Sequence, residues 1–302
     1  MGELFRIFVD VLTPVFVIVG VGYLVAGRMK VDAGTLSKLA YWILGPAFIF
    51  DVLAGTDLQG DVVVRVVLVS LATMLVIGVA AIGLARAMGR SRSQTSATML
   101  TSVHGNVGNF GLAITAFAFG DQALPLAGIV MVTVNTAGIL VGVAAATSRT
   151  AGPTVALRTA FLAPMALAVL PAVLVNVSDT TLPVFADRPI GLLADALVPM
   201  MLLTLGIQLG QMDRPHVGSI VAVPITAKLV VAPAIAASIV GLVGPSGLAG
   251  DVVILQAAMP AAVFTSLVAL EHDMEPDLVT TIVLAGTLVS VVTLPVVLTL
   301  IS

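Results

Sequence analysis

The sequence contains no cysteine, few aromatic residues and very little charge. The absence of cysteine excludes disulfide bonds, thiolate metal sites and cysteine nucleophiles. Charged residues are 10% of the 302 positions, whereas an ordinary soluble domain has roughly 25%. So few charges cannot cover a water-facing surface. The chain is therefore predicted to be a polytopic integral membrane protein whose outer solvent is lipid.

Motifs of soluble enzymes are also lacking. The chain has three histidines, none with zinc-ligand spacing, and no Walker lysine motif. The segment GNVGNFG is not a dinucleotide fingerprint, because no alternation of strands and helices surrounds it. A net charge of −3 is too small to indicate a nucleic-acid partner. We therefore expect no cofactor, no metal and no enzymatic activity.

Long apolar segments dominate what remains. A helix needs about 20 apolar residues to cross a bilayer. Cutting the sequence at charged or Gly/Pro-rich breaks predicts ten spans: 7–27, 34–55, 62–87, 94–119, 122–147, 154–176, 189–210, 217–243, 250–271 and 277–301. The first is interpreted as a retained span rather than a signal peptide, because no small-residue cleavage site follows it.

The ten spans form two similar halves. Two pairs of segments occupy matching positions: YWILGPAFIF (41–50) with ADALVPMMLL (194–203), and AFAFGDQALP (116–125) with LVALEHDMEP (267–276). Their prolines are 153 and 151 residues apart. Because five spans is an odd number, the second half enters the membrane in the opposite orientation, as in the inverted repeats of many transporters. Residues 1–151 and 152–302 are the predicted repeats.

Lysine and arginine favour one side of the membrane. The odd-numbered connections carry nine: Arg28, Lys30, Lys38, Arg86, Arg90, Arg92, Arg149, Arg158 and Arg214. The even-numbered connections and the N-terminus carry Arg6, Arg65 and Arg188. Cytoplasmic connections are enriched in these residues. Both termini are therefore expected to face away from the cytoplasm.

The fourth span contains the polar decapeptide HGNVGNFGLA at residues 104–113. Helix-breaking residues are tolerated at this depth where the freed backbone is buried in protein or lines a wet cavity. An offset of about 152 residues pairs Gly108 with Pro260, in LQAAMPAAVFT. Matching breaks in two halves point to the binding site of a transporter. The alternative is that the glycines only allow tight helix packing.

Two broken helices offer free N–H groups and positive dipole ends, which favour an anion. Asn106 and Asn109 add uncharged amides. The predicted substrate site comprises Gly105, Asn106, Gly108, Asn109, Gly111, Asn135, Gln256, Met259, Pro260 and Thr265. Asn135, Gln256 and Thr265 fit equally well as interhelical hydrogen-bonding residues.

Ionisable residues inside a span are functional candidates. Lys228, near the middle of span eight, is the clearest: it fits a partner of a carboxylate substrate, a member of an ion pair, or a proton-coupled switch. His104 adjoins the break and is a candidate for coupling. Asp51 and Asp195 are interpreted as packing, interface or rim groups.

With these features the chain resembles the auxin efflux carrier family, whose plant members are the PIN proteins. The strongest likeness is in KLVVAPAIAASIVGLVG, LQAAMP and EPDLVTTIVLAGTLVSVVTLP, with GNVGNFGL matching the family's break in span four. Asn106 and Pro260 match its crossover residues. Where the family has a proline, this chain has Ala113, and it has Leu270-Glu271 where plant members have a Lys-Glu pair. These departures weaken auxin as the substrate.

The resemblance implies a ten-helix fold of two inverted repeats in which broken helices four and nine cross. Spans within 7–55 and 154–210 would form a scaffold and a homodimer contact, and those within 62–147 and 217–301 a transport domain that moves as an elevator without ATP. Bacterial members of the family look like malonate, malate and other organic-acid permeases, so the resemblance implies a location in the bacterial inner membrane.

The expected function is thus secondary transport of small organic anions, mono- or dicarboxylates, with proton or sodium coupling left open. One alternative is a sodium-coupled symporter of the bile-acid type, although no acidic residue is close to Gly108 or Pro260 in sequence. The other is a channel or membrane sensor on the same fold.

Overall fold

The computed structural model describes residues 6–29, 31–56, 59–146, 158, 161–178, 180–211, 219–271 and 274–301. Within this part the chain is helical, with one isolated antiparallel bridge and no strand. Helices satisfy their backbone N–H and C=O groups internally, which is required in lipid because lipid offers these groups no partners. The prediction of an all-helical membrane protein is confirmed.

The helices are numbered in chain order. They are α1 (Phe8–Arg28), α2 (Ala33–Ala54), α3 (Gly60–Ala87), α4 (Arg92–Val103), α5 (Val107–Phe119), α6 (Leu124–Ala146), α7 (Pro164–Val177), α8 (Val184–Gln211), α9 (Ile220–Val243), α10 (Leu248–Ala257), α11 (Phe264–Glu271) and α12 (Pro276–Ile301). Among the described residues, six helices are long and apolar enough to cross a membrane: α1, α2, α3, α8, α9 and α12.

The other four predicted spans take different forms in the structure. Spans four and nine are each two shorter helices, α4 with α5 and α10 with α11. Span five coincides with the 23-residue α6. Span six is represented by the 14-residue α7, and residues 154–157, 159 and 160 of this span lie outside the described part. The ten-span count therefore stays a prediction.

One group of helices consists of α1, α2, α7 and α8. Helix α1 packs along α8, and α2 packs against α7. Gly206 faces the carbonyl oxygen of Val19, and Gly22 faces that of Leu203, so closely that a Cβ on either glycine would overlap that oxygen. Small residues allow such close backbone approach between membrane helices. The two backbones are therefore in direct contact.

A second group, α3 to α6 and α9 to α12, surrounds the two interruptions. Contacts in one half have counterparts in the other: α3 packs on α4 as α9 packs on α10, and α12 packs on α4 as α6 packs on α10. Leu100 of α4, Leu255 of α10 and Met131 of α6 are almost fully buried within this group. The interruptions therefore lie inside protein.

Local sequence explains several helix features. Ser91 and Gln94 form a reciprocal capping box at the start of α4, which satisfies free N–H groups there. Asp32 caps α2 through the N–H groups of Gly34 and Thr35. In α9 a π-helical turn at Ala227–Val231 precedes Pro233. Single π turns inside helices often mark functional positions, and this one carries Lys228.

Candidate functional site

The site is built from two interruptions that cross. Helix α4 ends at Val103 and α5 begins at Val107, while α10 ends at Ala257 and α11 begins at Phe264. Gly105 lies opposite Ala261 in an antiparallel bridge. The segment that follows α10 has no glycine at the bridge. Its break instead contains Pro260, which lacks a backbone donor and prevents the helix from continuing.

Two backbone hydrogen bonds hold the crossing together. The N–H of Asn106 donates to the carbonyl of Pro260 at 2.7 Å, and the N–H of Ala262 donates to the carbonyl of His104 at 3.0 Å. These bonds satisfy groups that the interrupted helices leave free, which buried backbone requires. Each break thus stabilises the other. We call the residues 104–106 and 257–263 the crossing.

The residues that meet at the crossing differ from the pair that the sequence offset relates. The offset of about 152 relates Gly108 to Pro260 as equivalent positions of the two halves, and this equivalence stays a prediction. The bridge brings together Gly105 and Ala261, which are 156 residues apart.

Asn106 begins α5 but does not cap it with its side chain. Its carbonyl accepts hydrogen bonds from the N–H groups of Phe110 at 3.3 Å and Gly111 at 2.9 Å. The side chain is buried, and its Nδ2 has no hydrogen-bond partner among the described residues. An unused amide donor therefore lies at the positive end of a half-helix, where an anion is favoured.

Lys228 reaches the crossing from α9. It is buried, and its Nζ donates to the carbonyl of Ala257, the last residue of α10, at 2.9 Å. That carbonyl is at the negative end of the half-helix, which favours a cation. Gly105 makes room, since a Cβ built on it would lie 2.9 Å from both Cε and Nζ of Lys228.

Lys228 has no acidic partner within the described part of the chain. The ion pair found there joins Arg65 Nε to Asp61 Oδ2 at 4.0 Å on the exposed face of α3. Of the three interpretations of Lys228, the ion pair is therefore without support in these residues. Among the described residues, this buried lysine has one hydrogen-bond partner, the carbonyl of Ala257.

Gln256 links the two broken helices. Its Nε2 donates to Thr115 Oγ1 of α5 at 3.1 Å, and the side chain is fully buried. Its Oε1 has no hydrogen-bond donor among the described residues and lies against Gly111, where a Cβ would overlap it. Gly111 thus provides the space for Gln256, as Gly105 does for Lys228.

His104 packs away from solvent on α6. Its ring lies against Gly138, where a Cβ would overlap it, and Asn135 is its side-chain hydrogen-bond partner. The ring of Phe264 is also close, with centroids 5.9 Å apart. This environment is that of a packed, hydrogen-bonded histidine.

The remaining predicted site residues lie around the crossing in different environments. Met259 and Pro260 are buried in it, and the hydroxyl of Thr265 donates to the carbonyl of Ala262 at 2.6 Å, at the start of α11. Gly108 and Asn109 are half-buried. Gly108 faces Met201 of α8. A Cβ built on the glycine would lie 3.3 Å from Cε of Met201.

A small cavity of about 30 Å³ borders the crossing. Its polar lining comes from Lys228 and Gln256, together with Ser70 and Thr73 of α3. Thr73 Oγ1 is buried without a partner among the described residues, whereas Ser70 Oγ donates to the carbonyl of Val66 at 2.7 Å. Sequence reasoning missed both. The available signal was two hydroxyl residues three positions apart, hence on one face, in an apolar helix.

Asp51 and Asp195 lie apart from the crossing. Asp51 is half-buried on α2 with its carboxylate near Gly191 of α8, and Asp195 is exposed. In the described part of the chain, no group of three or more histidine, cysteine, aspartate or glutamate side chains is arranged to hold a metal ion.

Comparison with known proteins gives two findings. A family described as membrane transport protein matches residues 7–149 and 147–298 of this chain. A protein described as an uncharacterized transporter, from Methanothermobacter thermautotrophicus (strain Delta H), is 27% identical over 293 residues. The matched region covers 95% of this chain and 96% of that relative. Both similarities extend over nearly the whole sequence.

Proposed function

The chain belongs to the membrane transport protein family, and we propose that it is a secondary carrier of small organic anions, mono- or dicarboxylates. The resemblance to the auxin efflux carrier family that the sequence predicts is thereby confirmed at the level of the family. The substrate class, the mechanism and the coupling belong to the proposal.

The observation that carries the proposal is the Nδ2 of Asn106 at the N-terminus of α5, which has no hydrogen-bond partner among the described residues. A buried amide donor without a partner is costly, and an anion would satisfy it. The N-terminal ends of α5 and α11 add the positive ends of two half-helices to the same region. A carboxylate fits this combination of uncharged donors.

The proposed architecture is two inverted five-helix repeats, residues 1–151 and 152–302. It is supported by the reciprocal hydrogen bonds of the crossing and by the matching helix contacts of the two halves. The two stretches that match the family also meet at residues 147–149, close to the proposed boundary.

We further propose that the group α1, α2, α7 and α8 is the scaffold and that the remaining helices move against it. The close backbone contact of Gly22 and Gly206 suits a part that does not change shape. The crossing lies inside the other group, so that a bound anion would move with it. A homodimer through the scaffold helices, a bacterial inner-membrane location and extracytoplasmic termini are parts of the same proposal.

Counterflow in proteoliposomes tests the function. Vesicles loaded with an unlabelled carboxylate are diluted into the labelled compound, and saturable accumulation of label is expected from a carrier. Ohmic current in place of counterflow would contradict a carrier and favour the channel. Uptake measured with and without a sodium gradient separates the proposed carrier from a sodium-coupled symporter, which would require the gradient.

A further inference from the structure

The cavity beside the crossing contains a charge that nothing in the described chain balances. Lys228 is 5% exposed, and its Nζ forms one hydrogen bond, to the carbonyl of Ala257. An ammonium group has three donors, so two remain without an acceptor among the described residues. A cation buried without a counter-charge is strongly disfavoured.

The walls of this cavity hold a second unused donor. The hydroxyl of Thr73 is buried without a partner among the described residues. Val107, the first residue of α5, also lines the cavity, so the positive end of that half-helix borders it. An ammonium, a hydroxyl without a partner among the described residues and a helix N-terminus thus line one small space of about 30 Å³.

We infer that this cavity is the seat for a carboxylate group of the substrate, with Lys228 as its counter-charge and Thr73 as a neutral donor. The inference rests on the proposed function: it selects one of the roles predicted for Lys228 and adds Thr73, which was not predicted. The carboxylate oxygens accept the two unused Nζ hydrogens of Lys228 and the Thr73 hydroxyl hydrogen, and no covalent bond changes.

Gly105 and Ala257 fix the position of the charge in this seat. The glycine leaves room for the lysine to pass the crossing, and the Ala257 carbonyl holds one of its three hydrogens. The other hydrogens can then be directed at a ligand. Because Lys228 belongs to α9 and Ala257 to α10, the seat connects helices of the second half with α3 of the first.

A structural role for Lys228 predicts a different outcome from a binding role. If the lysine only ties α9 to α10, replacing it with methionine lowers the melting temperature. If it is an unbalanced charge, methionine of similar volume leaves the melting temperature of the ligand-free protein equal or raises it, since apolar residues often replace buried charges without loss of stability.

The test uses purified full-length protein and acetate, lactate, malonate and succinate as probes. Ligand binding raises the melting temperature by mass action, so we expect at least one probe to raise that of the wild type. In Lys228→Met this shift is lost, while Lys38→Met, which alters an exposed lysine of α2, retains it. A Lys228→Met protein that binds the probe like the wild type would overturn the seat and leave the carrier function standing.

Thr73→Val provides the second variant, because it removes the hydroxyl and keeps the shape. Its affinity for the probe is expected to fall about tenfold, because one hydrogen bond to a charged group is lost. The matched control is Thr204→Val in α8, where the buried hydroxyl donates within its own helix to Met200. Unchanged affinity in Thr73→Val overturns the seat even where Lys228→Met fails to fold. A wild type that responds to none of the probes contradicts the proposed function itself.

Discussion

Gly105 and Lys228 fit together at the crossing because the glycine has no side chain. A Cβ built on Gly105 would lie 2.9 Å from both Cε and Nζ of the lysine, and 3.5 Å from the carbonyl oxygen of Met259. The closest atoms belong to the flexible end of a side chain, so they can move. A methyl group here would displace the charge without breaking the backbone crossing.

The first prediction is that Gly105→Ala folds but binds carboxylates poorly. The lysine end must shift, which takes the charge out of the position set by Ala257. We expect a melting temperature close to that of the wild type and at least a tenfold loss of carboxylate affinity, since hydrogen bonds to charged groups contribute about 1.5–3 kcal/mol.

The control for this variant is Gly83→Ala in α3, where a Cβ would have no atom within 4 Å. Alanine is favoured over glycine inside helices by up to about 1 kcal/mol, so Gly83→Ala should keep its stability and its affinity. Isothermal titration with the probe that the wild type binds measures both variants. Equal affinities for the two alanine variants would contradict the role given to Gly105.

The second prediction concerns the contact between α1 and α8. The Cβ of Gly206→Ala would overlap the carbonyl oxygen of Val19. Backbone atoms in a helix cannot move away as easily as the flexible end of the Lys228 side chain can. Overpacking of this kind costs about 1–3 kcal/mol, so the melting temperature should fall. Gly20→Ala on α1 is the matched control, because no atom lies within 4 Å of its Cβ. A Gly206→Ala protein as stable as the control would show that the helices are not in close contact.

Particular residues show how far the sequence predicted the fold. The breaks at HGNVGNFGLA and at Pro260 were predictable, because glycine, asparagine and proline contradict the apolar helices around them. The pairing of Gly105 with Ala261 was not, because a sequence does not show which residues of two separate breaks meet in space.

The site was predicted in part for a related reason. Asn106, Gln256 and Lys228 were candidates because polar residues are rare in these segments. Thr73 was not, since threonine is common in membrane helices and usually donates to its own helix, as Thr204 does. Only the positions of neighbouring atoms reveal that the Thr73 hydroxyl has no such partner among the described residues.

The third prediction is a pH-dependent contribution from Asp32, which lies before α2. Its carboxylate accepts hydrogen bonds from Thr35 Oγ1 at 2.7 Å, Thr35 N at 3.0 Å and Gly34 N at 3.1 Å. The Thr35 hydroxyl, followed by the Gly34 N–H, holds the pKa of Asp32 below its ordinary value. A lowered folded-state pKa adds stability above the unfolded-state pKa, and this is lost as the pH falls through the folded-state pKa.

Asp32→Ala should therefore lower the melting temperature more at about pH 7 than at about pH 3, because the wild type loses its advantage in acid. Asp32→Asn keeps an oxygen for the cap but has no charge to titrate, so its difference from the wild type should shrink in acid in the same way, from a smaller starting value. Thermal unfolding at both pH values measures this. A penalty for Asp32→Ala that grows in acid would have the opposite sign to the prediction.

The fourth prediction concerns orientation. The natural sequence has no cysteine, so single introduced cysteines report on their own positions. Met88→Cys lies after α3 and Ser246→Cys before α10, and both positions are exposed. The distribution of lysine and arginine predicts that the first lies on the cytoplasmic side and the second outside. A membrane-impermeant maleimide should label Ser246→Cys in intact cells and Met88→Cys only after the membrane is opened; the reverse pattern would invert the topology.

The measurement that tests the central claim most directly is counterflow by reconstituted Asn106→Ala, alongside equilibrium binding of the same carboxylate. The Nδ2 of Asn106, at the start of α5, has no partner in the described part of the chain. Its removal should therefore weaken binding and slow exchange, while the melting temperature shows that the variant remains folded. An Asn106→Ala protein that binds and exchanges the carboxylate at the wild-type affinity and rate would contradict the assignment of the crossing as the site of transport.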